Sequence, residues 1–144
     1  MKPSPWLIRL STLSLVLAMG VILLGAYTRL ADAGLGCPDW PGCYGQLTAP
    51  TTELNIQKAN AAFPSAPVDV SKAQTEMTHR YFAESLGLLI FIFSFFALWQ
   101  RRANPIPTWL PIALMGLVLF QGMLGMWTVT MQLWPIIVVG HLLG

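Results

Sequence analysis

Long uncharged stretches of apolar residues alternate with polar segments along this chain. The stretches run over 10–28, over 85–100 and from Ala103 onward. The first and third are long enough for the roughly 20 apolar residues that a membrane-spanning helix needs. Because a bilayer core holds no water to satisfy backbone N–H and C=O groups, each crossing segment is expected to be an α-helix. The pattern predicts an all-α, polytopic transmembrane bundle with three complete helices and the start of a fourth.

Polar residues at the ends of the stretches set the expected boundaries. One four-helix transmembrane unit over 1–144 is predicted, with helices at about 10–28, 76–100, 107–130 and 134–144 and a loop over 29–75. The second helix itself is expected to begin near Lys72 to Thr75, so that its first turn or more projects outward from the membrane. Prolines break regular structure in the loop, although 54–62 could form a short surface helix. The fourth stretch stops at Gly144, which suggests a fragment or an early end of the reading frame, since a half-crossing helix would leave carbonyl groups in hydrocarbon.

Composition and the placement of basic residues also indicate a membrane protein. Hydrophobic residues make up 55% of the chain and charged residues 10%, against roughly 25% charged residues in soluble domains. Lys2 and Arg9 precede the first helix, and Arg101 and Arg102 follow the second. By the positive-inside rule both clusters face the cytoplasm, although Arg29 opposes the bias. The amino terminus is then cytoplasmic, and the 29–75 loop lies outside.

The first stretch also has features of a signal peptide. Lys2 and Arg9, the apolar stretch and the small residues of 31–33 match a charged start, a core and an A-x-A cleavage site. The stretch is longer than the roughly 7–15 residues of a signal core, and polar residues separate it from the small ones. A retained anchor explains the length better.

The chain has two histidines, His79 and His141, and both are expected near the outer ends of their helices. Two antiparallel passages separate them, so they return to the same leaflet. Facing imidazoles on two helices of a bundle are a recurrent way to hold a metal or a haem iron. The alternative is one interfacial histidine and one that packs between helices, and spacing alone does not decide between the two.

Glu76 precedes His79 by three residues, which places both on one face of the second helix. Its carboxylate could orient the imidazole, act as a general acid or base, or lie in solvent near the helix amino terminus, where negative charge is favoured. A di-iron Glu-x-x-His site would need further carboxylates on neighbouring helices. Glu84 lies on a different side of the helix from His79, and it is expected to pair with a polar group such as Arg80.

Cys37 and Cys43 enclose five residues of the outer loop. Disulfides form and persist in that compartment. The spacing does not fit the C-x-x-C motifs of zinc and thioredoxin-like sites. A structural disulfide is one interpretation, and a redox-active pair is the other.

Several motifs taken together carry a resemblance to a known family. They are 25–30 (GAYTRL), 34–45 (GLGCPDWPGCYG), 76–80 (EMTHR), 121–125 (QGMLG), Thr128-Val129 and His141. In this order, over the whole chain, they resemble the heme A synthase family of cytochrome oxidase assembly. The resemblance implies an eight-helix protein of two similar four-helix halves in the cell inner (plasma) membrane, with this chain as the amino-terminal half.

The resemblance also implies an activity and a site. The family is an oxidoreductase that oxidises the methyl group at one edge of haem O to a formyl, giving haem A for terminal oxidases. His79 and His141 would be the axial ligands of the haem iron in this half, where haem O is the substrate. Glu76 would be the catalytic carboxylate beside the haem, handling protons or the developing cation.

Further residues and partners follow from the same resemblance. Cys37 and Cys43 would form the outer-loop disulfide. Arg29 and Arg80, both near the outer interface, could bind the haem propionates by charge-assisted hydrogen bonds or could anchor to lipid headgroups. The expected partners are membrane lipid, haem O, and haem O synthase with other cytochrome oxidase assembly factors, and no nucleic acid is expected. The choice between a monomer and a homo-oligomer stays open.

The chain departs from the family at its end. Family members carry a second histidine pair in the carboxy-terminal half, taken to bind a haem b cofactor, and residue 144 comes before it. The chain alone is therefore expected not to make haem A. Two other functions compete: a non-catalytic haem-binding membrane assembly protein, and a redox protein centred on the cysteines.

Overall fold

The computed structural model describes residues 4–102 and 106–144, and within these ranges the protein is helical, without strands. The helices are α1 (Pro5–Leu30), α2 (Glu53–Ala62), α3 (Val70–Trp99), α4 (Trp109–Thr130) and α5 (Pro135–Leu143). Three of them, α1, α3 and α4, are long and apolar enough to cross a membrane. The predicted all-α bundle is thus confirmed. Lys2 and Ala103, on which the charge and hydropathy arguments drew, lie outside the described residues.

Two helices begin earlier than the sequence predicted. Helix α1 starts at Pro5 instead of near residue 10, because proline is well tolerated in a first helical turn. Helix α3 starts at Val70 instead of near Lys72 to Thr75, because Asp69 caps it: the Lys72 N–H donates a 3.1 Å hydrogen bond to the Asp69 side chain. A proline at the start of α1 and a side-chain cap at the start of α3, neither of which hydropathy detects, thus set the two starts.

The segment between α1 and α3 is a small folded unit. The surface helix predicted over 54–62 is present as α2, where the Asn55 N–H donates to the Thr52 hydroxyl at the first turn. The buried core of this folded unit consists of Cys37, Cys43, Tyr44, Ala59, Ala73 and Met77. Since Ala73 and Met77 belong to α3, this core joins the loop to the bundle.

Helices α1, α3, α4 and α5 pack in chain order: α1 contacts α3, α3 contacts α4, and α4 contacts α5. An ion pair between Asp32 and Lys72, at 2.8 Å, joins the end of α1 to the start of α3. The turn after α4 lies at the same end of the bundle, because a Cβ on Gly34 would come within 3.2 Å of the Leu133 side chain. We call this end the loop side. It holds residues 31–69 and the turn over 131–134.

Large apolar side chains cover the outside of the bundle. Leu15, Leu23, Leu88, Phe95, Leu119 and Ile136 are all more than half exposed. Contiguous apolar surface of this kind is rare on soluble monomers and suits contact with lipid tails. The chain is therefore a multi-pass membrane protein.

Candidate functional site

His79 projects from α3 onto a bare surface of α1. The bare position is Gly25, where a Cβ would lie only 3.0 Å from Cε1 of the imidazole. The ring also donates toward the backbone carbonyl of Val21, one helical turn before Gly25. The missing side chain lets α1 approach the ring closely, as small residues do between membrane helices.

His141 meets α4 in the same way. A Cβ on Gly125 would lie 3.3 Å from Cε1 of the His141 ring. This ring donates toward the backbone carbonyl of Gln121, again one turn before the glycine. Each histidine therefore rests on a glycine of a neighbouring helix, α1 for His79 and α4 for His141, and interacts with the carbonyl four residues before that glycine.

His79 and His141 lie on α3 and α5, two helices that do not pack against each other, and both imidazoles are half-buried. That the two rings share one site stays a prediction. Nδ1 of each ring is buried and has no hydrogen-bond partner among the described residues. Such orphaned polar atoms are uncommon in native structures. Each imidazole thus keeps hydrogen-bonding or ligating capacity that the described residues do not use, which fits a metal-binding role.

The composition of the site narrows the kind of metal that it fits. No group of three or more His, Cys, Asp or Glu side chains that could hold a metal ion occurs in 4–102 and 106–144. Two imidazoles alone would leave a bare transition metal ion short of ligands. They fit an iron that brings its equatorial ligands with it, as haem iron does.

Glu76 lies one turn before His79 but faces the loop, and only 4% of it is exposed. Its carboxylate accepts a 2.8 Å hydrogen bond from the backbone N–H of Cys37 and forms an ion pair with Arg80. The interpretation that Glu76 sits in solvent near the helix amino terminus is therefore wrong. The carboxylate does not orient His79 through Nδ1, because that atom has no partner in the described part of the chain.

Arg80 is the second buried charge of this region. Its guanidinium donates to the backbone carbonyls of Asp39, Pro41 and Gly42 at 3.1, 3.4 and 2.6 Å. The predicted pairing of Arg80 with Glu84 is wrong. Glu84 is exposed, whereas Glu76, four residues before Arg80, faces the same loop and pairs with it. Arg80 thus fastens the loop to α3, while Arg29, exposed in the last turn of α1, lies apart from this contact.

Cys37 and Cys43 form a disulfide with a Cα to Cα distance of 4.8 Å, and neither is exposed. Inside the ring, the Asp39 carboxylate accepts hydrogen bonds from the backbone N–H groups of Tyr44 and Gly45, at 2.6 and 2.8 Å. Burial raises the pKa of the Tyr44 phenol above its usual value, and nearby carboxylates act in the same direction. The disulfide loop is thus a closed, internally bonded cap.

Glycines position this cap as well as the imidazoles. A Cβ on Gly36 would overlap the backbone carbonyl of Lys72, so the loop lies directly on the first turns of α3. From the sequence alone, Gly25 and Gly125 are small residues that allow another helix to approach closely, but nothing local connects either glycine to a histidine. A Gly-x-aromatic-Thr pattern that occurs at both positions was the signal that could have identified them.

Comparison with known proteins agrees with this site. Residues 8–144 match the family model described as cytochrome oxidase assembly protein. The chain is 52% identical to the heme A synthase of Shewanella oneidensis over 96% of its own length, and covers 40% of that protein. It is 29% identical to a heme A synthase-mitochondrial ferredoxin fusion protein of Schizosaccharomyces pombe, over 81% of this chain and 21% of that one.

A further relative is the heme A synthase of Hyphomonas neptunium, 29% identical over 87% of this chain and 39% of that protein. No solved structure matches the chain. The chain thus spans at most 40% of the length of these relatives. Because the family model covers nearly all of the chain, the protein belongs to the heme A synthase family of cytochrome oxidase assembly proteins.

Proposed function

We propose that this chain is the haem-binding, amino-terminal part of a heme A synthase, an oxidoreductase that converts the methyl group of haem O to a formyl group and so provides haem A for cytochrome oxidase. The observation that carries the proposal is the pair of half-buried imidazoles, His79 and His141, each packed against a helical glycine and each with a buried Nδ1 that has no partner in the described residues. Family membership and the name of the relative from Shewanella oneidensis support the same reaction.

In this proposal His79 and His141 are the residues that would hold the haem iron. The backbone carbonyls of Val21 and Gln121 interact with the two rings. Such an outer hydrogen bond fixes the tautomer and the ring plane and makes the ligating nitrogen more basic. Bound haem supplies the redox chemistry of its iron, and the helices orient it and keep bulk water away.

Glu76 is proposed as the catalytic carboxylate, the group that accepts or donates protons beside the haem edge during methyl oxidation. Its support is its position one turn from His79 on the loop side of the same helix. The hydrogen bond from Cys37 and the ion pair with Arg80 hold the carboxylate in place. A fixed, buried carboxylate is suited to proton transfer because its environment can be tuned and its geometry is set in advance.

The orientation in the membrane is also a proposal. Arg9 lies near the start of α1, and Arg101 and Arg102 follow the end of α3, so all three share the end opposite the loop side. The positive-inside rule assigns that end to the cytoplasm. The disulfide loop then faces the periplasm or the extracellular space. Arg29, exposed on the loop side, is the guanidinium proposed to bind a haem propionate or a lipid headgroup.

One observation favours a second candidate function, a non-catalytic haem-binding assembly protein. Both carboxylate oxygens of Glu76 are already engaged, Oε2 by the Cys37 N–H and Oε1 by Arg80. A carboxylate used this way could be structural, with the histidines serving haem delivery or electron transfer. Replacing Glu76 by Gln separates the two functions, because an enzyme loses turnover with haem retained, whereas a carrier is little changed in delivery.

The first experiment is to purify the protein in detergent with added haem and record oxidised and reduced visible spectra. We expect a low-spin, bis-histidine spectrum in the parent and its loss in both His79→Ala and His141→Ala. Gln74→Ala, an exposed change on the same helix, is the matched control and should keep the spectrum. An unchanged spectrum in either histidine variant would rule out the proposed ligand pair.

A further inference from the structure

The carboxyl-terminal ends of α1 and α4 are two copies of one local structure, at positions that differ by 100 residues. The shared sequence is Gly-x-aromatic-Thr, at 25–28 (GAYT) and 125–128 (GMWT). Both helices end five residues after the glycine, at Leu30 and Thr130. Two separate helices with similar sequences thus end at the same distance from the shared glycine.

The turns after these helices also match, bond for bond. The residues at the corresponding positions Asp32 and Gln132 have left-handed φ values of 51° and 49°. The N–H groups of Ala31 and Met131 donate to the Tyr27 and Trp127 carbonyls at 2.8 and 2.9 Å, and those of Ala33 and Leu133 donate to the Thr28 and Thr128 carbonyls at 2.9 and 2.8 Å. Both ends are therefore Schellman caps. The two turns diverge at the next residue, where Leu133 has a φ of 59° and Ala33 does not have a left-handed φ.

The similarity between the ends of α1 and α4 also includes their contacts with the two imidazoles, although the matching local sequences do not require such contacts. His79 rests on Gly25 and the Val21 carbonyl, and His141 rests on Gly125 and the Gln121 carbonyl, at the same offsets. His79 follows its glycine by 54 residues and His141 follows its own by 16, so the two rings reach equivalent places by different connections. The contact between Gly34 and Leu133 sets the two caps side by side.

We propose that Gly25 and Gly125 are paired positioning residues, each setting the depth and ring plane of one imidazole so that both rings address a single iron in equivalent ways. The inference rests on the proposed haem site. A Cβ 3.0 Å from the His79 ring or 3.3 Å from the His141 ring is tighter than ordinary contact, so each ring has to shift or rotate. The tighter contact at Gly25 makes its substitution the larger perturbation.

A purely structural role is the competing explanation, since small residues also serve close helix packing. Loss of packing lowers thermal stability but leaves the geometry of a bound ligand pair unchanged. The largest g value of a low-spin ferric haem depends on the angle between its axial imidazole planes, and the reduction potential depends on ligand strength. These two readouts therefore distinguish positioning from packing.

The test compares Gly25→Ala and Gly125→Ala with Gly20→Ala on α1 and Gly116→Ala on α4. At both control positions an added Cβ meets nothing within 4 Å, so the same chemical change is made without touching a ring. The haem-loaded proteins are examined by electron paramagnetic resonance and redox titration. We expect low-spin haem in all four, with the largest g value and the potential shifted in Gly25→Ala, shifted less in Gly125→Ala and unchanged in the controls.

Parental g values and potentials in both Gly25→Ala and Gly125→Ala, with or without a lower melting temperature, would overturn the positioning role and leave the ligand pair intact. A parent that binds haem without a bis-histidine signal would instead overturn the proposed function. Gly125→Ala, with the looser contact, keeps the test decisive if Gly25→Ala does not fold.

Discussion

The backbone N–H of Cys37 donates a 2.8 Å hydrogen bond to the carboxylate of Glu76, a contact between residues 39 positions apart. Arg80 completes the connection, because it pairs with Glu76 and donates to three carbonyls of the disulfide loop. These contacts therefore connect α3, the helix that carries His79, directly to the disulfide loop. We expect a change in the disulfide loop to alter the position of His79, and a change at His79 to alter the loop.

Replacing Glu76 by Gln should lower stability and abolish turnover while haem is retained. The amide keeps an acceptor for the Cys37 N–H but leaves the buried Arg80 charge without its counter-ion, which should cost about 3–5 kcal/mol. Thermal unfolding in detergent and haem A formation by the full-length protein are the measurements. Glu84→Gln, at an exposed position, is the control and should leave both unchanged. Full turnover in Glu76→Gln would remove the carboxylate from the mechanism.

Replacing Arg80 by Lys should loosen the disulfide loop. A lysine ammonium is a point charge and cannot present the planar fork of donors that reaches several loop carbonyls at once. Loss of about 1.4 kcal/mol of loop contacts would open the loop about tenfold more often. The rate at which a water-soluble thiol reduces the Cys37–Cys43 disulfide should rise by that factor. Arg29→Lys, which leaves the loop contacts intact, should reduce at the parental rate.

Replacing Gly36 by Ala should destabilise the protein even though the added group is one methyl. The new Cβ would overlap the Lys72 backbone, which a helix cannot easily move, and overpacking of this kind costs about 1–3 kcal/mol. The melting temperature of the purified protein measures the effect. Gly20→Ala adds the same methyl in open space and should not lower it. Equal melting temperatures for the two variants would mean that the loop does not lie against α3 in solution.

The ion pair between Asp32 and Lys72 should make a small, acid-sensitive contribution to stability. The hydrogen bond and charge of Lys72 hold the pKa of Asp32 below its ordinary value of 3.8. A carboxyl whose folded pKa is depressed stabilises the fold above its unfolded pKa, and that stability is lost as the pH falls through the folded value. Melting temperatures of the parent and Asp32→Asn should therefore differ above about pH 4 and converge below it.

The Asn side chain suits this comparison because it tolerates the left-handed backbone of residue 32. Because both partners are substantially exposed, added salt should shrink the difference seen near neutral pH. A gap between the two proteins that persists at pH 2 would show that Asp32 acts through its backbone conformation instead of its charge.

Helix direction and residue spacing in the sequence predicted part of the candidate site. The two histidines were predicted at one depth because helix direction alternates at each crossing, and their sharing of one site stays a prediction. The same kind of reasoning assigned Arg80 to Glu84, and that was wrong. Both glutamates lie four residues from Arg80, and only the folded loop over Glu76 decides between them. Helix spacing identifies which residues are neighbours on the surface of a helix but does not show which of them another part of the chain buries.

Hydropathy and helical period act over neighbouring residues, and they were enough to predict the all-α membrane bundle and the surface helix in the loop. The burial of Glu76 under the disulfide loop and the contacts of Gly25 and Gly125 with the imidazoles emerge only from the packed helices. Those contacts join residues that lie far apart in the chain. Their formation depends on how closely whole helices approach, which no local spacing specifies.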